Sequence, residues 1–348
     1  MPLTAQESSI LRSITVASEN NPTKPEFPPE NPQFPATPTY KINVPGFTNV
    51  WLKDESKNPT GTHKDRMAWE MVVTYRDFLL AKKDGLIKDK LPQMSIITSG
   101  SAGFAIQSML RKYHLPNLKC LVDIHLDEHI VRMLESIGCE VYRTDLSRKP
   151  FHWKEILEIS HNPYGLDVTS NTALDPTTRY FDWLSYEILN NSPEFCFIPF
   201  GTGNLYENLL NINKREVLSG IHDPRFSGDS QTLKHCNFMG ATVNDPKSKA
   251  DKLYSPHLPF VHFDEQWIRI YKWTGSCGPE TNVYAVQERY IDEAIEIAKQ
   301  NNIQCEPSGI AGLALLLQMR SRVPKEAKIL IVNTGKTKWS NVVKDTEN

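Results

Sequence analysis

The chain has 348 residues, 39% of them hydrophobic, and its 39 basic and 41 acidic residues give a formal net charge of −2. This length suffices for a large buried core and exceeds the usual size of one domain, so we expect two closely joined domains. No block of like charge stands out. The composition therefore argues against a nucleic-acid or membrane-surface partner and favours small ligands of mixed charge.

The N-terminal residues and the cysteines bear on the cellular compartment. The first residues, MPLTAQESSILRSI, lack the basic start and long apolar core of a secretory signal. No stretch approaches the roughly 20 apolar residues of a membrane span. The six cysteines are scattered and form no Cys-x-x-Cys pair. This pattern is typical of reduced thiols, and we expect a cytoplasmic protein.

The first half of the chain changes from a proline-rich segment to alternating strand and helix patterns. Residues 22–45 carry eight prolines and predict an extended arm over the body of the protein. TNVWLKDES is typical of a strand. From Met94, the patterns follow in the order MSIIT (strand), AGFAIQSMLRKY (helix), LKCLVDI (strand), EHIVRMLESIG (helix), CEVYR (strand) and WKEILEIS (helix).

A second alternating region follows Gly165. TTRYFDWLSYEIL and NLYENLLNINKREV are helical patterns on either side of the apolar strand FCFIPF, and residues 243–279 are loop-rich. Two late helices carry apolar residues at i, i+3, i+4 and i+7, namely Ile291, Ala294, Ile295 and Ala298, then Ile310, Leu313, Ala314 and Leu317. KILIVN is a final buried strand. The sequence thus predicts an α/β protein of two domains, each an open, mostly parallel sheet flanked by helices.

In open parallel sheets, ligands bind beyond the carboxyl ends of the strands, so the loops after strands are the candidate sites. Two of them run through glycines into a helix start, where backbone N–H groups bind anions. The first fits a carboxylate or phosphate site and equally an ordinary turn capped by serine. It comprises Thr98, Ser99, Gly100, Ser101, Ala102 and Gly103. The second lacks the endings of a P-loop and of a dinucleotide motif, which favours a single phosphate. It comprises Gly201, Thr202, Gly203, Asn204 and Leu205.

A third loop and one lysine complete the set. The last strand ends at Thr334, whose hydroxyl is expected to point into the crevice, with a cap or turn role as the alternative. Lys64 follows the turn Asn-Pro-Thr-Gly and precedes a helix whose predicted buried face is Ala68, Met71, Val72 and Tyr75. A lysine amine becomes a covalent catalyst when it forms a Schiff base with an aldehyde cofactor. Pyridoxal phosphate supplies the aldehyde, one phosphate and an electron-accepting ring, and four loops offer the partners for these groups.

These motifs resemble, in the same order, those of the fold-type II pyridoxal-phosphate enzymes, which include threonine synthase, serine/threonine dehydratase, cysteine synthase and the tryptophan synthase β subunit. LKDESKNPTGTHKDR resembles their lysine motif, TSGSAG the substrate-carboxylate loop and PFGTGNL the phosphate loop. CEPSGIAGLALL resembles the Glu-Pro-Ser/Ala segment, and NTGKTK the Thr-Gly-x-Gly-x-Lys end of threonine synthase. The resemblance implies a smaller domain of residues 58–158 with the lysine and the carboxylate loop. Residues 1–57 and 159–348 would form a larger domain with the phosphate loop and the ring-nitrogen contact.

The resemblance also implies a role for each loop. Lys64 would hold pyridoxal 5'-phosphate as a Schiff base and then act as general base at Cα of the substrate. Residues 98–103 would bind the substrate carboxylate, residues 201–205 the cofactor phosphate, and Thr334 the pyridine nitrogen. A neutral hydroxyl at that nitrogen makes the ring a weaker electron sink, which favours expulsion of a β or γ substituent. Asp65 and Arg66 are expected to be structural, as a helix-start charge and an ion-pair partner.

Several positions depart from the family pattern. Ser101 stands where relatives have an asparagine beside the cofactor's 3′-oxygen, and a serine donates only one proton. His63 precedes the lysine, as a histidine near the phosphate does in the tryptophan synthase β subunit, and a capping or packing role is the alternative. Thr202 and Asn204 replace glycines. Glu306 either touches the site or caps the following helix, and capping is favoured.

We therefore expect a pyridoxal-phosphate-dependent lyase that acts on a small amino acid by β- or γ-elimination, or by elimination and replacement. A β-replacement synthase resembling cysteine synthase or the tryptophan synthase β subunit is the alternative, towards which the His-Lys pair leans. An inactive protein that binds the cofactor or an amino acid is the alternative of another class, motivated by Ser101. No metal is expected, because His257, His262 and Asp264 fit no strong zinc spacing. A homodimer is expected by analogy.

Overall fold

The computed structural model describes residues 36–86, 90–148, 151–169, 179–218, 222–254 and 282–339. Its strands are β1 (Thr39–Ile42), β2 (Val50–Asp54), β3 (Met94–Ile97), β4 (Lys119–Asp123), β5 (Glu140–Thr144), β6 (Leu166–Asp167), β7 (Phe195–Pro199), β8 (Asn237–Thr242), β9 (Val283–Ala285) and β10 (Ile329–Asn333). Its helices are α1 (Lys64–Lys83), α2 (Ser101–Lys112), α3 (Glu128–Ser136), α4 (Trp153–Ile159), α5 (Asp182–Leu189), α6 (Asn204–Leu218), α7 (Ser230–Lys234), α8 (Glu288–Gln300) and α9 (Ala311–Gln318).

The larger sheet in the described residues has six strands, in the order β1-β2-β10-β7-β8-β9. β1 runs antiparallel to β2, and the other neighbours run parallel. The central strand β10 is buried along its whole length. A continuous apolar run is what a parallel strand needs when both faces of the sheet are covered. Helix α9, which is also buried except at its last residue, packs against β7, β8 and β10.

The smaller sheet, within the described ranges, has four parallel strands in the order β5-β4-β3-β6. Helices α1 and α2 pack against each other beside it. The predicted α/β class, with mostly parallel sheets flanked by helices, is confirmed. Strand β6 (Leu166–Asp167) adds to this sheet beyond residue 158. The predicted domain boundaries stay a prediction.

Helix α1 carries Lys64 as its first residue and is held by its apolar face. Ala68, Met71, Val72 and Tyr75 are completely buried, as predicted, in a core shared with residues of α2. Full burial of a large apolar side chain contributes roughly 1.5–3 kcal/mol, so several such residues fix the helix firmly. The backbone of Lys64 is therefore anchored by packing that extends well along the helix.

Strands β1, β6, β8 and β9 were not anticipated from the sequence. β1 lies inside the predicted proline-rich arm, where it pairs with β2 at the edge of the larger sheet, and residues 22–35 of that arm lie outside the described ranges. β8 contains Gly240, whose missing side chain leaves room for Phe200 and Val283. A glycine in the middle of a short strand weakens the apolar pattern from which strands are recognised.

Two predicted helices have shifted starts. TTRYFDWLSYEIL contains a short 3-10 turn at Arg179–Phe181 and becomes α-helical only at Asp182. Ile310, predicted as the first apolar residue of the last helix, lies one position before its start at Ala311.

Candidate active site

The turn before Lys64 is held by hydrogen bonds that reach into the first turn of α1. The Asn58 side-chain amide donates to the carbonyl of Thr62 at 3.0 Å. The backbone N–H and hydroxyl of Thr60 both donate to one carboxylate oxygen of Asp65, at 3.0 and 2.8 Å. The Thr62 hydroxyl accepts from the N–H of Lys64 at 3.2 Å. Asp65 thus has a structural role, but burial raises its pKa to about 7, so it is not the full helix-start charge that was expected. The turn presents Lys64 from a fixed backbone.

The amine of Lys64 lies in an environment that favours its neutral form. Its Nζ is 5.5 Å from the centre of the Phe181 ring, and no described residue is seen to accept a hydrogen bond from it. Burial lowers the pKa of Lys64 to about 8. An appreciable fraction of the amine is then unprotonated near neutral pH, and only the unprotonated amine attacks a carbonyl.

His63 lies between Lys64 and Thr334, the residue that follows β10. Its ring stacks on Phe181, with ring centres 5.3 Å apart and planes inclined by 28°. Its Nδ1 is 3.4 Å from the carbonyl oxygen of Thr334, to which it can only donate. Burial, and then the neighbouring charge of Lys64, lower the pKa of His63 to about 3. The imidazole is therefore neutral at physiological pH.

The predicted carboxylate loop joins β3 to α2. The Thr98 hydroxyl accepts from the N–H groups of Gly100 and Gly103, at 3.0 and 3.3 Å. Gly100 has φ of +122°, and a Cβ there would come within 2.8 Å of both Ile130 and Trp339. A glycine is thus required by both conformation and space. Ser99, Ser101 and Ala102 line the cavity together with Thr98, whereas Gly100 and Gly103 shape the turn behind them.

The predicted phosphate loop joins β7 to α6, which begins at Asn204. Gly203 has φ of +80°, and a side chain at Gly201 would come within 3.1 Å of the carbonyl oxygen of Lys252. The glycines therefore let the chain turn tightly under a neighbouring segment. The first amides of a helix attract anions, and Leu205 in the first turn lines the cavity.

Thr334 follows β10 and faces the same cavity. The next residue, Gly335, has φ of +93° and forms a bridge with Thr62. A Cβ on Gly335 would lie 2.1 Å from the carbonyl oxygen of Gly61. The loop after β10 thus lies directly against the lysine turn, in an approach that only glycine permits.

A single cavity of about 180 Å³ collects these elements. The predicted site residues on its wall are His63, Lys64, Thr98, Ser99, Ser101, Ala102, Gly201, Thr202, Gly203, Asn204, Leu205 and Thr334. Their binding roles stay predictions. Further lining residues not predicted as site residues include Phe181, Lys252 and Ser308. No sequence pattern singles out Phe181 or Lys252, whereas Ser308 lies in the Glu-Pro-Ser segment.

Glu306 is a cavity residue and not a helix cap. Its carboxylate forms an ion pair with Lys252 at 2.6 Å, and both side chains line the cavity. Helix α9 begins only at Ala311, and the residue before it, Ile310, makes no side-chain capping bond. The favoured capping role of Glu306 is therefore wrong.

The described ranges contain no group of three or more His, Cys, Asp or Glu side chains placed to hold a metal ion. His257, His262 and Asp264 lie outside those ranges. Within the same ranges, no helix is long and apolar enough to cross a bilayer.

The residues of the cavity fit pyridoxal 5'-phosphate. The Lys64 amine has a lowered pKa and suits bond formation with the aldehyde. The glycine loop at the start of α6 suits the phosphate, because backbone turns with positive φ expose amides to an anion. The hydroxyl of Thr334 suits the ring nitrogen. These three partners belong to three different loops and lie on one cavity wall.

Comparison with known proteins identifies the family. Residues 33–335 match the family model described as pyridoxal-phosphate dependent enzyme, and the chain belongs to this family. It is 22% identical to threonine synthase from Synechocystis sp. in an alignment of 330 residues, which covers 93% of this chain and 80% of that protein. A match to cysteine synthase from Aquifex aeolicus is 31% identical but spans only 30% of this chain and 29% of that protein. The fold is similar to that of diaminopropionate ammonia lyase from Escherichia coli, with a TM-score of 0.61, 14% identity and coverage of 98% and 91%.

The family match, the fold and the lysine cavity agree. The protein is a pyridoxal-phosphate-dependent enzyme of fold type II, and its cofactor is pyridoxal 5'-phosphate. The predicted family, the prediction of a pyridoxal-phosphate-dependent enzyme and the predicted cofactor are confirmed.

Proposed function

We propose that the protein is a lyase that removes a substituent from Cβ or Cγ of a small amino acid, with Lys64 carrying the cofactor. This proposal rests on one observation. The Lys64 amine, the loop of residues 98–103, the glycine loop and the Thr334 hydroxyl all line the same cavity. Similarity to threonine synthase extends over 93% of the chain and supports the lyase reaction. The match to cysteine synthase, which would favour replacement, is confined to 30% of the chain.

Each group has a distinct task in this proposal. Lys64 binds the cofactor covalently and later takes the proton from Cα of the substrate. The hydroxyls and amides of residues 98–103 hold the substrate carboxylate, which orients Cα towards Lys64. The cofactor, when bound, supplies an electron sink. Thr334 offers a neutral hydroxyl to the ring nitrogen, which keeps that sink weak and favours rapid loss of the β or γ substituent.

A β-replacement synthase is the second candidate, and His63 favours it. Its imidazole is neutral and lies directly beside Lys64, as a histidine does in the tryptophan synthase β subunit. In replacement, a second nucleophile enters the cavity after the substituent has left. The two reactions therefore differ in their products: ammonia with a keto acid from elimination, and a new amino acid from replacement.

Borohydride reduction of the purified protein tests the proposal. The protein should be yellow, and reduction should fix the cofactor onto Lys64, as located by peptide mass spectrometry. Lys64→Ala should abolish the labelling. Lys57→Ala, which removes an exposed lysine from the preceding turn, should leave it unchanged. A protein that stays colourless with added cofactor would refute both enzyme candidates.

A screen of amino acids on the yellow protein then separates the reactions. Release of ammonia and a keto acid identifies elimination, whereas phosphate released from a phosphorylated amino acid shows only that the substituent has left and is expected from both reactions. A new amino acid formed only with an added thiol or other nucleophile identifies replacement. Cofactor binding with neither product would identify a binding protein without turnover.

We also propose a cytoplasmic homodimer. The dimer is supported by analogy with related enzymes, and the cytoplasm by the free cysteines of the described residues, Cys120, Cys139, Cys196, Cys236 and Cys305. Light scattering of the holoprotein tests the dimer, and a mass near 39.7 kDa would refute it.

A further inference from the structure

Ser101 is hydrogen-bonded to a residue from the far end of the chain. Its Oγ lies 2.6 Å from Oγ1 of Thr337, and either atom can be the donor. Ser101 lines the cavity and is partly exposed to it, whereas Thr337 is 5% exposed. The two hydroxyls thus form a pair with one member facing the cavity and the other enclosed in protein.

The burial of Thr337 decides the direction of this bond. Each hydroxyl has one proton to donate. If Ser101 donated to Thr337, the proton of Thr337 would need another acceptor, and the described residues show Oγ1 of Thr337 bonded only to Ser101. A buried donor without an acceptor is costly. If Thr337 donates to Ser101, its own proton is satisfied, and the proton of Ser101 is available to the cavity.

Thr337 is fixed in place by its neighbours. The N–H of Lys336 donates to the carbonyl of Gly61, and the N–H of Lys338 donates to that of Thr60, both at 2.9 Å. On the other side, the ring of Trp339 packs edge-on against Phe104 of α2, with ring centres 5.1 Å apart. The segment of residues 336–339 therefore joins the lysine turn to the helix that begins at Ser101.

We propose that Thr337 is a positioning residue that acts through Ser101. Thr337 donates to Ser101, and Ser101 in turn donates its single proton to an anionic oxygen in the cavity. A hydroxyl that accepts a hydrogen bond becomes a better donor, so the pair is stronger than an isolated serine. The anionic oxygen belongs either to the cofactor ring or to the substrate carboxylate. This inference deepens the proposed function and rests on its assignment of Ser101 to the site.

The test compares the holoproteins of Thr337→Val, Thr337→Ser, Ser101→Ala and the double variant Ser101→Ala/Thr337→Val. Valine keeps the shape of threonine without the hydroxyl, and serine keeps the hydroxyl. The readouts are the dissociation constant of pyridoxal 5'-phosphate, the pH midpoint of the visible absorption band, and the dissociation constant of L-serine from the shift of that band. Thr48→Val is the matched control, because it removes an exposed threonine hydroxyl at a position far from Ser101 and Thr337 in the sequence.

Ser101→Ala should raise the dissociation constant of whichever ligand Ser101 contacts, the cofactor or L-serine, about tenfold, since it removes a hydrogen bond to a charged group. Thr337→Val should raise the same dissociation constant about twofold, because loss of the donated bond weakens the Ser101 hydrogen bond by up to about 30%, and Thr337→Ser should leave it unchanged. The double variant should match Ser101→Ala alone, because Thr337 acts only through Ser101. A change in cofactor affinity and band midpoint identifies the cofactor oxygen. A change confined to L-serine identifies the carboxylate.

Two results would overturn the inference. One is that Thr337→Val leaves both dissociation constants unchanged, whether or not it lowers the melting temperature. The other is that its effect persists in full in the Ser101→Ala background, since Thr337 would then act by another route. Failure of the proposed function is distinguishable from these results, because borohydride would then not label Lys64 in the unsubstituted protein.

Discussion

A buried ion network behind Lys64 holds the first turn of α1. Arg66 donates to Glu55 at 3.1 and 3.2 Å and to Glu187 at 2.8 and 3.0 Å. Lys53 pairs with Glu187 as well. Arg66, Glu55 and Lys53 are 5%, 0% and 1% exposed, and Glu187 is 17% exposed. Two cations and two anions thus balance each other in a region nearly free of water, which confirms the ion-pair role expected for Arg66.

Replacing Arg66 by methionine keeps most of the side-chain length and removes one of the two cations. The network then holds an uncompensated buried negative charge, which costs about 3–5 kcal/mol. We expect Arg66→Met to lower the free energy of unfolding by about this amount in urea titrations of the holoprotein. The double variant Glu55→Gln/Arg66→Met leaves Lys53 balanced by Glu187. It should recover most of the loss.

The pH dependence gives a second check on the same variant. Burial opposes ionisation of Glu55, but Arg66 and Lys53 outweigh burial and hold its pKa below the ordinary value of 4.5. A lowered carboxyl pKa adds stability above pH 4.5, and this stability is lost as the pH falls through the lowered pKa. The effect of Arg66→Met should therefore be largest at neutral pH and shrink on acidification below 4.5.

An exposed arginine provides the matched control. Arg143 pairs with Glu128 at 2.6 Å, but these side chains are 33% and 65% exposed. Exposed pairs contribute about 0–1 kcal/mol, so Arg143→Met should lie in that range. The reasoning would be refuted if Arg66→Met cost no more than Arg143→Met, or if its cost did not change with pH.

Three further predictions concern the residues around Lys64. Gly335→Ala should lose bound cofactor and melt at a lower temperature, because the new Cβ would lie 2.1 Å from the carbonyl oxygen of Gly61. Gly46→Ala is the control and should retain the cofactor, because Gly46 has a similar φ of +90° but no atom within 4 Å of a new Cβ. The rate at which cofactor-free protein captures pyridoxal phosphate should rise with pH and reach half its maximum near 8, following the lowered pKa of Lys64, and a midpoint near 10.5 would contradict this. The ring signals of His63 in NMR spectra of cofactor-free protein should not titrate between about pH 5 and 8, because its pKa is about 3.

Part of the cavity wall could be predicted from the sequence, at positions where a residue type has few alternative uses. Lys64 follows a Pro-Thr-Gly turn at a helix start, and the glycine loop of residues 201–205 follows an apolar strand. Both patterns are local, and the fold brings such loops to one edge of a sheet. The structure places both on one cavity wall.

Phe181 and Lys252 of the cavity wall were not predicted, because nothing local in the sequence distinguishes them. Lys252 lies in a loop-rich segment that resembles any exposed charged stretch, and Phe181 lies in what reads as an ordinary amphipathic helix. Their positions depend on contacts with residues far away in the sequence, such as the pairing of Lys252 with Glu306. The same holds for Thr337, which is notable only because Ser101 lies opposite.

Contacts from both ends of the described chain hold the turn that presents Lys64. His63 and Thr334 are 271 residues apart, yet their backbones are joined by a hydrogen bond of 3.1 Å. The carbonyl of Gly61 accepts from Lys336, and a Cβ on Gly335 would overlap that carbonyl. The turn that presents Lys64 therefore reaches its final shape only when β10 has joined the larger sheet next to β2. Capture of pyridoxal phosphate by Lys64 should accordingly be a late step of folding, because it requires that the loop after β10 has docked onto the lysine turn.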